Sequence, residues 1–424
     1  MRLKLKALTG CAIAALLTGG AASAETLGEA ISAAIDTNPQ LEAQRVQSEI
    51  AREGLEQVRA QGRTTVNLNG QAGYEYTDTN LPLVTSTGDR PLASATVQAV
   101  KPIYTGGRIA AGTRQALAGI DAAEAQFEAA EQDLILQVIT AYMDVRRDRE
   151  TVAIRQNNVE VAGEQVRAAD DRFEVGVVTR TDVSLSTARF EGARAALAGA
   201  EAALETSTAN YTFLTGLMPA DLPEPPPVPP LPASLEEATQ LGLNANPDMV
   251  AARHAERAAS EAIEVAKAAG RPTVSIVGNA SVQETFGDNS RRDTSVSALA
   301  QGRIPLMTGG LVKSQTRQAR LQRDSARRQI DTLDRSIRAQ VAAAWFGYEA
   351  TLRAIEASKR QVDAAEIAYD GAKEELAVGV RTTLDVLDQE QQLFEARLAL
   401  VQSERDAYVA AHNLLRATGQ LTRP

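Results

Sequence analysis

The chain has 424 residues, with 44 basic against 54 acidic side chains, a net charge of -10, two histidines and one cysteine. The acidic balance argues against nucleic acid as a partner, because phosphate binding needs a basic face. One cysteine and two histidines far apart in sequence suggest no disulfide, metal-ligand cluster or Ser/His/Asp arrangement, so neither a cofactor nor a catalytic residue is expected.

Residues 1–24 read as a signal peptide. Arg2, Lys4 and Lys6 form a basic start, residues 7–22 an apolar run, and Ala22-Ser23-Ala24 a cleavage site of the A-x-A kind. Cys11 lies inside this segment. Leu8-Thr9-Gly10-Cys11 stands before most of the apolar run rather than after it, the wrong order for a lipoprotein box. The expected mature chain starts near Glu25, is exported, carries no thiol and has a net charge of about -13. No later apolar stretch approaches the ~20 residues of a membrane helix, so any membrane-spanning part must be made of strands.

A first repeat is expected over 25–218. It opens with a helical pattern over 27–61, interrupted where Asn38-Pro39 favours a kink or break. The period then changes to two. Val66, Leu68, Ala72, Tyr74 and Tyr76 alternate with Asn67, Asn69, Gln71 and Glu75 in a strand predicted over 64–76. Ala95, Val97 and Ala99 alternate with Ser94, Thr96 and Gln98 in a second, over 93–104. The polar segment 77–90 between them reads as a loop. Pro102 closes the second strand, and Gly106-Gly107 permits the sharp change into a helix. That helix is predicted over 108–174, about 100 Å long. Its seam is mostly small: Ala111, Ala118, Ala122, Ala125 and Ala129, then Leu136, Ile139 and Tyr142. So long and weakly hydrophobic a helix persists only against neighbours. A tip over 175–182 and a return helix ending before Thr215-Gly216 complete the unit.

Residues 219–233 form an extended proline-rich linker, able to lie against a helical body. The second repeat, over 234–424, says the same again. It has a helix, strands over 272–285 and 294–306, a long helix over 311–376, a tip over 377–384 and a return helix. Asn246-Pro247 answers to Asn38-Pro39 at an offset of 208. From Thr105-Gly106-Gly107 and Thr308-Gly309-Gly310 onward the offset is 203, so the copies differ in one loop. Two copies of one unit bury together a face that neither buries alone. Trp345 and Phe346, at mid-helix, are expected in the core. Tyr74, Tyr76 and Tyr104 suit an aromatic girdle at a bilayer edge as well as they suit ordinary strands.

The strands also fit a soluble amphipathic sheet, yet they approach the ~9–11 residues that a tilted strand needs to cross a bilayer. Four strands cannot close a barrel, and an open edge in lipid leaves backbone groups unsatisfied. If they span a membrane, several chains must pool them.

The duplicated order, the two Asn-Pro breaks, the strand-closing Pro102 and Pro305 with Thr-Gly-Gly, and the tips Val175-Gly176-Val177-Val178-Thr179-Arg180-Thr181-Asp182-Val183 and Val378-Gly379-Val380-Arg381-Thr382-Thr383-Leu384-Asp385-Val386 make a specific set. In it the mature chain resembles the TolC family of outer-membrane channels over essentially its whole length. The resemblance implies an α+β membrane protein, a homotrimer in which four strands per chain form a twelve-stranded transmembrane β-barrel. The barrel would continue into a long periplasmic coiled-coil α-helical barrel. It implies a passive exit duct for small molecules or proteins, in a tripartite efflux pump or type I secretion system. Such a duct sits in outer-membrane lipid of a Gram-negative bacterium. It docks through a periplasmic adaptor (membrane fusion) protein on an inner-membrane pump of the RND or ABC type.

By the same resemblance the adaptor-docking surface maps to Val175, Gly176, Val177, Val178 and Arg180, and to Val378, Gly379 and Val380. The periplasmic gate maps to Arg381, Asp385 and Asp388, with Thr181 and Asp182 as the partners of Arg381 on a neighbouring helix pair. Asp385 and Asp388 share a helix face, where copies of the chain would make two carboxylate rings with raised pKa values. A plain helix-to-helix turn at the glycines, and capping boxes at Thr179-x-x-Asp182 and Thr382-x-x-Asp385, stand as the structural alternatives. Leu376 occupies a place where the family has an aromatic hydroxyl, so one gate contact is missing. Two other classes compete. A soluble periplasmic coiled-coil adaptor or scaffold leaves the strand pairs unexplained, and an exported enzyme lacks the side chains for it.

Overall fold

A computed structural model describes residues 25–81, 84–286 and 290–423, with the backbone alone for 77–90; the signal segment and Cys11 lie outside the described residues. The first half runs α1 (Leu27–Thr37), α2 (Pro39–Ala60), β1 (Thr65–Leu81), β2 (Val84–Tyr104), α3 (Arg108–Glu174) and α4 (Arg180–Thr215). The second runs α5 (Leu235–Ala245), α6 (Pro247–Ala268), β3 (Thr273–Thr285), β4 (Arg291–Arg303), α7 (Leu311–Ala377) and α8 (Thr383–Thr418).

Each Asn-Pro is a true break. Asn38 caps α2, its side chain accepting from the Gln40 and Leu41 amides, while its Nδ2 donates to the Leu214 carbonyl at 3.4 Å. Asn246 caps α6 in the same way and donates to the Ala417 carbonyl at 3.1 Å. One buried side chain thus starts a helix and satisfies the end of another, and proline at N1 loses no intrahelical bond. Gly107 and Gly310 precede the long helices with φ of 85° and 86°, a backbone that a side chain resists.

The four strands form one antiparallel sheet in the order β1-β2-β3-β4. Register sorts its faces. Leu68 pairs with Val97, Val97 with Ala280 and Ala280 with Val296 on one face. Asn67, Gln98, Asn279 and Ser297 line up on the other, where the Gln98 amide donates to Asn279 at 3.1 Å. Tyr74, Tyr76, Val66 and Leu68 are exposed on the apolar side. The outer edges of β1 and β4 have no ladder partner among the described residues.

The described residues of the polar segment, 77–81 and 84–90, are strand rather than the expected loop. The ladder runs on through Thr77↔Gly88 to Leu81↔Val84. Main-chain pairing does not require apolar side chains, so a polar extension continues the hairpin once the register is set. Pro102 does not end β2 either. It sits beside an irregularity in the β2–β3 register, and the strand continues to Tyr104, since a bulge tolerates a residue without an N–H.

The core lies where the short helices cross the long ones. Ile31, Ile135, Val138, Tyr142 and Tyr211 are buried in one cluster, and Ala238, Met249, Ile337, Val341 and Leu414 in a second. The proline-rich linker is strapped onto the first. The Tyr142 hydroxyl donates to the Pro223 carbonyl at 2.8 Å, Arg149 to those of Ala220 and Pro219, and Tyr408 to that of Pro226. Trp345 packs against the second cluster, whereas Phe346 is exposed, contrary to expectation. Neighbours on a helix point about 100° apart, so one core seldom takes both. Val46 and Ile50 of α2 are exposed too, on a face that no described element covers.

Candidate functional site

Both tips are built by local rules. In the first, the Gly176 amide bonds to the Phe173 carbonyl and the Val177 amide to that of Arg172. In the second, Gly379 and Val380 bond to Leu376 and Glu375. This is the Schellman termination, and φ of 78° at Gly176 and Gly379 explains the glycines. The next helix then starts at once with a capping box. The Thr179 amide and hydroxyl donate to the Asp182 carboxylate at 2.8 Å each, and the Thr382 pair donates to Asp385 at 3.0 and 2.7 Å. Between these caps Val175, Val177, Val378 and Val380 stand 71–75% exposed, four apolar knobs at the far end of the molecule. Val178 is half-buried, and Arg180 and Thr181 are exposed.

A cleft separates the tips. Val177, Val178 and Asp182 line it from one side, and Leu376, Val378, Gly379 and Arg381 from the other. Arg381 and Asp182 therefore face one space, but Arg381 is paired with Glu375 of its own hairpin. Asp385 and Asp388 have different surroundings. Asp385 is held below the usual carboxylate range, chiefly by the Thr382 hydroxyl, then by the Thr382 amide and the nearby Arg381. Thr179 does the same for Asp182, its amide first and its hydroxyl second. Within one chain the Asp385 carboxyl is thus shifted down, not up as expected of a crowded ring. Asp388 pairs with Arg189 of α4 at 2.8 Å, a partner 199 positions away that sequence reasoning missed.

The family model for outer membrane efflux proteins matches residues 30–217 and 238–420, one stretch per repeat. The chain is 32% identical to the outer membrane efflux protein BepC of Brucella suis, over 96% of this chain and 88% of that protein. It is 26% identical to the outer membrane protein TolC of Vibrio cholerae, over 94% and 92%. The crystal structure of the Campylobacter jejuni CmeC outer membrane channel shares the fold with a TM-score of 0.82 at 17% identity, over 93% of this chain and 85% of that one. This chain belongs to the outer membrane efflux protein family. Its place is the outer membrane.

Among the described residues no helix is long and apolar enough to cross a membrane, and no group of His, Cys, Asp and Glu could hold a metal ion. The hairpin α3–α4 is tied to α8 by Arg–Asp pairs at three levels: Arg189–Asp388 near the tips, Arg405–Asp144 higher up, and Arg416–Asp133 by the core. One further residue was missed although its signal was present. Val386, Leu387, Glu390, Leu393 and Phe394 are all buried and follow helical spacing, so a carboxylate sits on an apolar stripe.

Proposed function

We propose that the chain is the exit duct of a tripartite efflux pump or type I secretion system, passing small molecules or proteins passively. Three copies pool their sheets into a twelve-stranded barrel and their helices into a periplasmic tunnel. The repeats 25–218 and 234–424 supply equivalent hairpins, and the linker 219–233 belts them. The observation that carries this reading is the sheet: one apolar face, one polar face and two edges without partners among the described residues, continuing into two helices of 67 residues each. Such edges are tolerated in lipid only when another chain closes them.

The exposed valines with Arg180 dock a periplasmic adaptor, which couples the duct to an inner-membrane pump. Arg381, Asp385, Asp388, Thr181 and Asp182 regulate the entrance. Arg381 is steadied by Glu375 but keeps further donors of its five for Thr181 and Asp182 of a neighbouring hairpin. Leu376 contributes no hydroxyl, so the latch rests on the charged residues.

The test is single-channel conductance of the purified protein in planar bilayers, for wild type and Asp182→Ala/Arg381→Ser. A small steady current that rises in the double variant supports pore and latch together. An unchanged pore keeps the duct and reduces those residues to helix caps. Folded protein that never inserts moves the soluble scaffold to the front.

A further inference from the structure

Glu390 lies two turns into α8 from the tip, about 10 Å above it. It is 4% exposed, and neither carboxylate oxygen has a hydrogen-bond partner among the described residues. A buried charge without a partner is costly, and a neutral acid much less so. The residue borders a cavity between α3, α4 and α8, lined also by Arg155, Asn158, Arg189 and Gln391. Arg189 is committed to Asp388. From α7 Lys373 acts on the carboxylate, but its ammonium sits 5.2 Å over the Tyr369 ring and makes no hydrogen bond to Glu390. Glu164, Asp370 and Arg397 act on Tyr369 from α3, α7 and α8. Among the described residues no group hydrogen-bonds to the Glu390 carboxylate, although Arg155 shares its cavity, and that cavity leaves room for water beside it.

We propose, resting on the gated-duct reading, that Glu390 is a protonation switch for the entrance. When neutral it lets α8 seat against α3 and α4, and the two hairpins pack together near the tips. When ionised it draws water into the cavity and drives the tip half of α8 off that seat, which loosens the entrance. Burial pushes the Glu390 carboxyl up to about 7 from an ordinary 4.5, Lys373 opposing only in part. The sign follows: the packed state is fully favoured below about pH 4.5, and that advantage is lost as pH rises towards 7. A difference of two units or more moves the packed-to-splayed ratio by roughly a hundredfold across the window.

Two readouts test this on the full mature protein. Spin labels at Ser184→Cys on α4 and Leu384→Cys on α8, both exposed positions, report hairpin separation in detergent from about pH 4.5 to about pH 8. Bilayer conductance reports the entrance over the same range. The expected result is a longer-distance population and a larger current at the higher pH, both absent in Glu390→Gln, with Glu390→Leu packed and low-conducting throughout. A separation that ignores pH, or a pH response retained in Glu390→Gln, overturns the switch. The label measurement needs no pore. A protein that forms no channel but splays with pH therefore counts against the duct and for the switch.

Discussion

Glycines with the same φ differ in what surrounds them. Gly419 has φ of 73°, and a Cβ there would lie 2.5 Å from the Ala245 carbonyl oxygen, because the end of α8 abuts the break between α5 and α6. Gly176 and Gly379 have φ of 78° with nothing within 4 Å. Gly419→Ala is therefore expected to lower stability by more than the ~1 kcal/mol of a left-handed alanine, and Gly176→Ala by about that amount alone. Thermal unfolding followed by circular dichroism should rank them in that order. His412 gives a pH signature opposite to that of Glu390. It is buried, its Nδ1 lies 2.8 Å from the Tyr408 carbonyl, and burial holds its pKa below 6.5. The folded form keeps it neutral while the unfolded chain protonates it near 6.5, so its contribution is present above that value and is lost as pH falls below it. In a Glu390→Gln background, denaturation midpoints taken above and below pH 6.5 should differ and should converge once His412→Gln is added; midpoints already indifferent to pH in that background would remove histidine from the account.

A strand segment reads two ways until its neighbours are known. Leu68 and Asn69 are adjacent, but register places Leu68 opposite Val97 on the apolar face and Asn69 opposite Thr96 on the polar one. Leu68→Arg is expected to destabilise the membrane-inserted protein by about 2–4 kcal/mol near mid-bilayer, and Asn69→Arg to be tolerated. Unfolding by denaturant from lipid vesicles would measure both, and equal penalties would mean that both faces see the same solvent. The helices divide similarly. In α3 twenty residues are buried, in α7 five, although each is 67 residues long. The two copies share a pattern but not an environment. α3 packs against α1, α2, α4, α6 and α8, while among the described elements α7 packs mainly against α5, α6 and α8 and leaves its opposite face open.

That open face, with the exposed Val46, Ile50 and Phe346 and the two strand edges that have no ladder partner among the described residues, suits the proposed pooling of three chains. Cross-linking and light scattering of the detergent-solubilised protein should give three chains, and a lasting monomer would leave those edges without cover. Much of the architecture was legible beforehand because it is written in local periods: alternation for strands, 3.6-residue spacing for helices, Pro and Gly at the breaks, Thr-x-x-Asp at the starts. Each such signal spans a few residues, so the chain carries it before it folds. Other features depend on residues distant in sequence. Arg189 reaches Asp388, Arg416 reaches Asp133, the linker meets Tyr142, and residues 77–81 and 84–90 join a ladder that their composition argued against. Those choices turn on burial and pairing between segments, which no local pattern encodes. By itself the sequence determined a duplicated, exported chain of amphipathic strands and long helices. Only the tertiary structure decided which carboxylate is capped, which is paired and which is left buried without a partner, because desolvation depends on what the fold brings around it.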